Sequence, residues 1–294
     1  MGSYYFNVAD IAFALHFKGA EASWVTEFLK PYRPFQQAER PEVPALEVFV
    51  SEGVVDTEPE GEDLGEFENV DKRFHVYRRD EHFYKISLAF AKAEAAASMN
   101  LDIDGGKCSI VVADGGFEQR QTMGTMLMIA FAMIAALHQT LLLHASVTVN
   151  NKKAYLFLGV SGTGKSTHSD LWVKHIAGSR ILNDDNPAVR VKDGRVEAYG
   201  TPWSGKRNYY FNRHFEVGAF VKLEQYGENL IEKLRPVKGI SYLLPSASVM
   251  VWDKQDFDAV LKTTETIVNA VPVFYLKCRA DREAALLCHA TVTR

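Results

Sequence analysis

The feature that most constrains this chain is the run Gly159-Val160-Ser161-Gly162-Thr163-Gly164-Lys165-Ser166, set between the apolar stretch Tyr155-Leu156-Phe157-Leu158 and a segment of helical character, Thr167 to Ala177. Its glycines allow a turn in which backbone N–H groups face inward, and a helix starting just after it adds a positive dipole. Such a loop cradles phosphate oxygens when a strand feeds it and a helix leaves it, which is the order of segments here. The chain is therefore expected to contain an α/β sheet with this loop at a strand end. Gly159, Ser161, Gly162, Thr163, Gly164, Lys165, Ser166 and Thr167 are expected to line a nucleoside triphosphate. In that arrangement Lys165 neutralises the β and γ phosphates, and Ser166 offers its hydroxyl to Mg²⁺ or Mn²⁺.

Phosphoryl transfer also needs carboxylates for the metal and, for an alcohol acceptor, a base. Asp184-Asp185 follows the loop lysine by about twenty residues and ends the strand candidate Arg180 to Leu182. Ligands collect at that end of strands in open α/β sheets, so the aspartate pair is a candidate for both the metal and the base roles. Tyr199 to Arg207 is a turn-rich loop carrying Lys206 and Arg207, suited to closing over phosphates and stabilising transferred charge. His144, on the expected strand before the loop's hairpin, reads on residue type alone as either a satisfied core residue or a member of the site.

The segments before residue 115 are rich in aromatic and β-branched residues: Ala45 to Val50, Arg73 to Arg78, Phe83 to Phe90 and Lys107 to Val112 read as strands. Asp56 to Glu68, acidic and poor in apolar residues, reads as a solvated loop, and Ala91 to Met99 as a short helix on propensity. After the apolar stretch Met123 to Leu137, strands are expected at Leu141 to Val149, Ala154 to Leu158, Val217 to Leu223 and Val273 to Leu276. Helices are expected at Asp256 to Ala270 and Arg282 to His289, and a hairpin turning at Asp193-Gly194 within Ala188 to Tyr199. The expected division is a β-rich domain over 1–120 and an α/β nucleotide-binding domain over 121–294, the change falling within 115–140.

Composition excludes some partners. With 33 basic and 37 acidic residues the formal charge is −4 and no basic run stands out, which argues against nucleic acid or an acidic membrane surface as partner. Met123 to Leu137 is about fifteen residues of uncharged sequence, short of the roughly twenty that cross a bilayer, and reads as a buried helix. Three unevenly spaced cysteines, Cys108, Cys278 and Cys288, fit a reducing compartment, and the expected location is cytoplasmic.

Leu143-His144-Ala145-Ser146, Gly159 to Thr167 and Leu182-Asn183-Asp184-Asp185-Asn186-Pro187, in this order, resemble the nucleotide-binding core of the HPr kinase/phosphorylase and ATP-dependent phosphoenolpyruvate carboxykinase families. The resemblance covers roughly 141–215. It implies a carboxykinase-type P-loop domain with a mixed sheet, ATP as the nucleotide, and a homo-oligomer. It also implies His144 at a metal or in the active site and Asp184 as the base towards a serine hydroxyl. Tyr199 to Arg207 stands where HPr kinases carry a Glu-Ile-Arg-Gly type segment, so the acceptor is left as a hydroxyl-bearing protein, peptide or small molecule. Two alternatives stand beside this kinase: a carboxykinase-like enzyme acting on oxaloacetate, and a nucleotide-binding regulator.

Overall fold

A computed structural model describes residues 2–18, 23–69, 72–90, 94–113 and 117–294, with side chains omitted at 69 and 117–120. The chain divides into two compact units, Met1–Ile134 and Ala135–Arg294. Among the described residues it is a mixed α/β protein, rich in strands, with one mixed sheet in each unit.

The first unit begins with the hairpin β1 (Gly2–Val8) and β2 (Ile11–Phe17), turned at Ala9-Asp10, both at positive φ. Helix α1 (Ser23–Leu29) and a 3-10 turn through Phe35 bring Phe28 and Tyr32 to a cluster with Phe6, Phe13 and Phe17. The sheet is completed by β3 (Gln36–Gln37), β4 (Leu46–Glu52), β5 (Glu62–Asn69), β6 (Lys72–Asp80), β7 (Phe83–Phe90), β8 (Ala95–Asp102) and β9 (Lys107–Val112). Their order is β3-β1-β2-β4-β9-β8-β7-β6-β5, with β4 parallel to β2 and β9 and the other pairs antiparallel.

Two local expectations are overturned here. The acidic run is not loop throughout, because Glu62–Asn69 forms the edge strand β5. Its acids lie across from bases of β6: Glu62 pairs with Arg78, and Asp63 reaches His75 at 2.8 Å. The expected helix over Ala91 to Met99 is also replaced; 91–93 lie outside the described residues, and β8 starts at Ala95. Ala97 and Met99 alternate into the core at 0% exposure between β7 and β9, so sheet burial outweighs the helix propensity of alanine.

Helix α2 (Phe117–Leu137) spans the division between units, with Met126, Leu127, Ala130 and Phe131 fully buried. No helix among the described residues is long and apolar enough to cross a membrane.

The second unit holds β10 (Thr140–Leu142), β11 (Ala145–Asn150), β12 (Lys153–Leu158), α3 (Lys165–His175), β13 (Arg180–Asp185), β14 (Ala188–Lys192), β15 (Arg195–Tyr199), β16 (His214–Gln225), β17 (Leu230–Lys233), α4 (Pro236–Leu243), α5 (Lys254–Ala270), β18 (Val273–Cys278) and α6 (Arg282–Val292). The single strand expected over Leu141 to Val149 is broken at Leu143-His144, where the chain passes from its pairing with β14 to its pairing with β12 and β13. His144 therefore sits in a bend and not on a strand.

Sheet order is β10-β14-β15-β16-β12-β11-β13, with β18 on the far part of β16 and β17 on β18. Alternation along the strands feeds two apolar layers. Leu156, Leu158 and Phe220 pack with Val260 and Ile267 of α5, while Tyr155, Phe157, Ala219 and Val221 pack with Trp172 of α3 and Cys288 of α6. Strand β11 runs antiparallel to both β12 and β13, and β16 and β18 run parallel to β12. The carboxyl ends of β12, β13, β16 and β18 thus share one edge of the sheet, with the start of β11 among them.

Candidate phosphate-binding site

Register places the site. Ala145 lies opposite Leu158 on one neighbour and Asp185 on the other, so His144, Gly159 and the aspartate pair meet at one edge. The loop after Leu158 turns through Gly162 at φ +80° and Gly164 at φ +102°, left-handed values that suit glycine, and α3 begins immediately at Lys165. Helix α3 is fixed beneath the loop by Trp172, fully buried, and by a 2.6 Å hydrogen bond between Ser169 and Ser146.

Lys165 is 8% exposed, and its ammonium donates to Gly159 O at 2.8 Å, to Val160 O at 3.4 Å and to His144 Nε2 at 2.9 Å. No carboxylate pairs with it among the described residues. Burial holds its pKa below the ordinary lysine value, against the raising pull of Asp185 and Asp184. Because His144 Nε2 accepts from Lys165, its ring proton lies on Nδ1, which faces Asp185 Oδ1 at 3.1 Å. Asp185, His144 and Lys165 therefore form one polar chain, with both imidazole nitrogens engaged.

Asp184 is held differently. Its side chain is 4% exposed, with Oδ2 at 3.1 Å from Arg207 Nε, while Oδ1 is buried and has no hydrogen-bond partner. Arg207 also donates from both terminal nitrogens to the two oxygens of Asp170 on α3, each at 2.7 Å. That bidentate contact raises the guanidinium pKa further and ties the 199–207 loop to the helix behind the glycine loop. Asn183 adds a second tie, donating to Thr201 O at 3.3 Å and Thr201 Oγ1 at 3.2 Å.

An open cleft of about 510 Å³ joins these parts, lined by His144, Ser161, Gly162, Gly164, Lys165, Ser166, Thr167, Asp184, Asp185, Lys206 and Arg207. Lys206 is exposed at its rim. Gly159 contacts the ammonium of Lys165 without lining the cleft, and Thr163 faces the adjoining space beside Gly162. Asp170 lies outside the sequence motifs, and Asn183 lies within one without having been given a role. For Asp170 the available signal was spacing, because a residue four beyond Ser166 on a helix lies on the same face.

Among the described residues no cluster of three or more His, Cys, Asp or Glu is arranged to hold a metal. Mg²⁺ does not require one, since it binds through one or two carboxylates, waters and the phosphates of its nucleotide. Ser166, Asp184 and Asp185 supply oxygen donors to one cleft, and a buried carboxylate oxygen without a partner is a position a hard cation or a proton would satisfy.

No protein-family model and no curated protein matches the chain. Among solved structures, the HPr(Ser) kinase/phosphatase from Coxiella burnetii is similar, with 12% identity and a TM-score of 0.32, over 52% of this chain and 93% of that chain.

Proposed function

We propose that this chain is an ATP- and Mg²⁺-dependent kinase that moves the γ-phosphoryl group to a hydroxyl. One observation carries the reading: the glycine loop, its buried lysine with no carboxylate in contact, and the partnerless Oδ1 of Asp184 share a single cleft. A buried ammonium met only by carbonyls and an imidazole is costly and gains most from an anion.

Two contacts exchange when nucleotide enters. Lys165 leaves Gly159 O and His144 for the β and γ phosphates, which frees His144 Nε2 to face the cleft. Arg207 turns part of its guanidinium from Asp184 to the phosphoryl oxygens, uncovering the carboxylate. Asp184 Oδ1 then takes the proton of the acceptor hydroxyl as its oxygen bonds to Pγ and the bond from Pγ to the β-phosphate oxygen breaks. Lys165, Arg207 and Lys206 stabilise the charge on the departing diphosphate. Mg²⁺ would be held by Ser166, Asp185 and the phosphates, where it would supply further charge neutralisation.

The order of His144, the phosphate loop and Asp184-Asp185, similar to HPr kinases, supports a serine hydroxyl in a protein or peptide, or a small alcohol, as acceptor. The purified chain with MgATP should phosphorylate at least one of a panel of serine peptides, free serine and related metabolites. Transfer to none of them, with ATP bound, would leave the nucleotide-binding regulator as the better reading.

A further inference from the structure

Beside the phosphate cleft lies a second cavity of about 410 Å³, which shares Gly162, Gly164 and Thr167 with it. Its remaining walls come from α3, from the carboxyl end of β16 and from the segment after β18. The order along the helix gives the pair of cavities a direction. Lys165 and Ser166 line the phosphate cleft only, Thr167 lines both, and His168 and Leu171 line only the second. A phosphate chain whose outer end lies at Lys165 and Asp184 therefore leaves its inner end at Thr167, at the mouth of the second cavity.

We infer that this second cavity binds the nucleoside of the triphosphate, with Tyr226 and Arg279 as the side chains that hold the base; the assignment rests on the proposed triphosphate site. The walls suit a flat, part-polar group. Leu171 and Leu223 offer apolar surface, and Tyr226 and Arg279 offer an aromatic ring and a planar guanidinium on which a base can stack. Both are accessible, Tyr226 at 49% and the Arg279 side chain at 51% exposure. Both are also positioned. Arg279 is held by Asp281 at 2.9 Å and Glu283 at 3.0 Å, and the Lys277 ammonium lies 5.2 Å from the centroid of the Tyr226 ring. The backbone N–H of Tyr226 donates to Cys278 O at 3.0 Å, which joins the two strand ends. Gln225 Nε2 donates to Gly162 O at 3.0 Å, so the wall of this cavity is tied to the phosphate loop itself. The volume falls in the range of small-molecule sites.

The test separates nucleoside from phosphate by titrating the full chain with MgATP and, in parallel, with magnesium tripolyphosphate, which has the phosphates and no base. The wild type should bind MgATP more tightly than tripolyphosphate. Tyr226→Ala should weaken MgATP about tenfold or more, and Arg279→Ala in the same direction, with tripolyphosphate within about twofold of wild type in both. Equal binding of the two probes by the wild type overturns the assignment, as does a loss that affects both probes alike in either variant. If the wild type binds neither probe, the triphosphate site itself is wrong and the nucleoside pocket falls with it. If Lys165→Ala loses both probes while Tyr226→Ala changes neither, the triphosphate site stands and only the pocket is wrong.

Discussion

Lys85 and Lys165 are both buried lysines, one in each unit, and they end on different partners. On β7, Lys85 is 3% exposed and its ammonium meets a carboxylate oxygen of Asp56 at 2.7 Å and the carbonyl of Glu58 at 2.9 Å. Lys165, at the start of α3, meets two carbonyls and an imidazole but no carboxylate, and it opens onto a cleft. The first charge is closed by its own unit and serves structure. The second has no carboxylate in contact, and burial holds its pKa below the ordinary lysine value against the pull of Asp185 and Asp184. Both lysines are buried, so burial alone does not separate them; the absent carboxylate contact and the adjoining cleft do.

The aspartates extend the contrast. Asp56 is exposed and paired, whereas Asp184 is buried with one oxygen partnerless. If that difference marks function, Asp184→Asn should lower phosphoryl transfer by about 10²–10³-fold, read as turnover at saturating MgATP, with nucleotide still bound. Turnover equal to wild type would remove the contrast.

The units also differ in their histidines. His75 faces Asp63 on the first sheet, while His168, 3% exposed under the phosphate loop, accepts from Trp172 Nε1 at 3.2 Å and has its pKa pushed down to about 4 from 6.5. At neutral pH this ring is uncharged folded and unfolded. As pH falls below 6.5 the unfolded chain takes up a proton that the folded chain refuses, so stability is lost progressively until about pH 4. The loss should reach about 3 kcal/mol, and His168→Gln should flatten it in unfolding curves between these limits. An unchanged slope in the variant would assign the acid sensitivity elsewhere.

Smaller effects separate the two lysines. Lys85→Met should cost about 1–2 kcal/mol in chemical denaturation, because the exposed Asp56 carboxylate can rehydrate once its partner is gone. Lys165→Met should cost less than that or stabilise, since it removes a buried charge with no counter-charge. A larger loss at Lys165 than at Lys85 would reverse the assignment of structural and functional roles.

Much of the second unit was legible because its signals are local. Glycines mark the loop after β12, Asp193-Gly194 turns the β14–β15 hairpin, and the apolar run before the loop becomes β12 while the segment of helical character after it becomes α3. The sequence also brought His144, Lys165, Asp184, Asp185, Lys206 and Arg207 into consideration, and the fold gathers all six around one cleft. What stayed hidden depends on partners distant in the chain. Glu62 to Glu68 reads as solvated until the bases of β6 lie across from it, and Ala95 to Met99 reads as helical until two neighbouring strands bury its alternate side chains. Asp170 is an ordinary helix acid until a loop some forty residues later brings Arg207 onto it.

The most direct test is a calorimetric titration of MgATP into the wild type, Lys85→Met and Lys165→Met under one set of conditions. The account expects the wild type and Lys85→Met to bind alike and Lys165→Met to lose binding while remaining folded. Binding unchanged in Lys165→Met, or absent in the wild type, would contradict it.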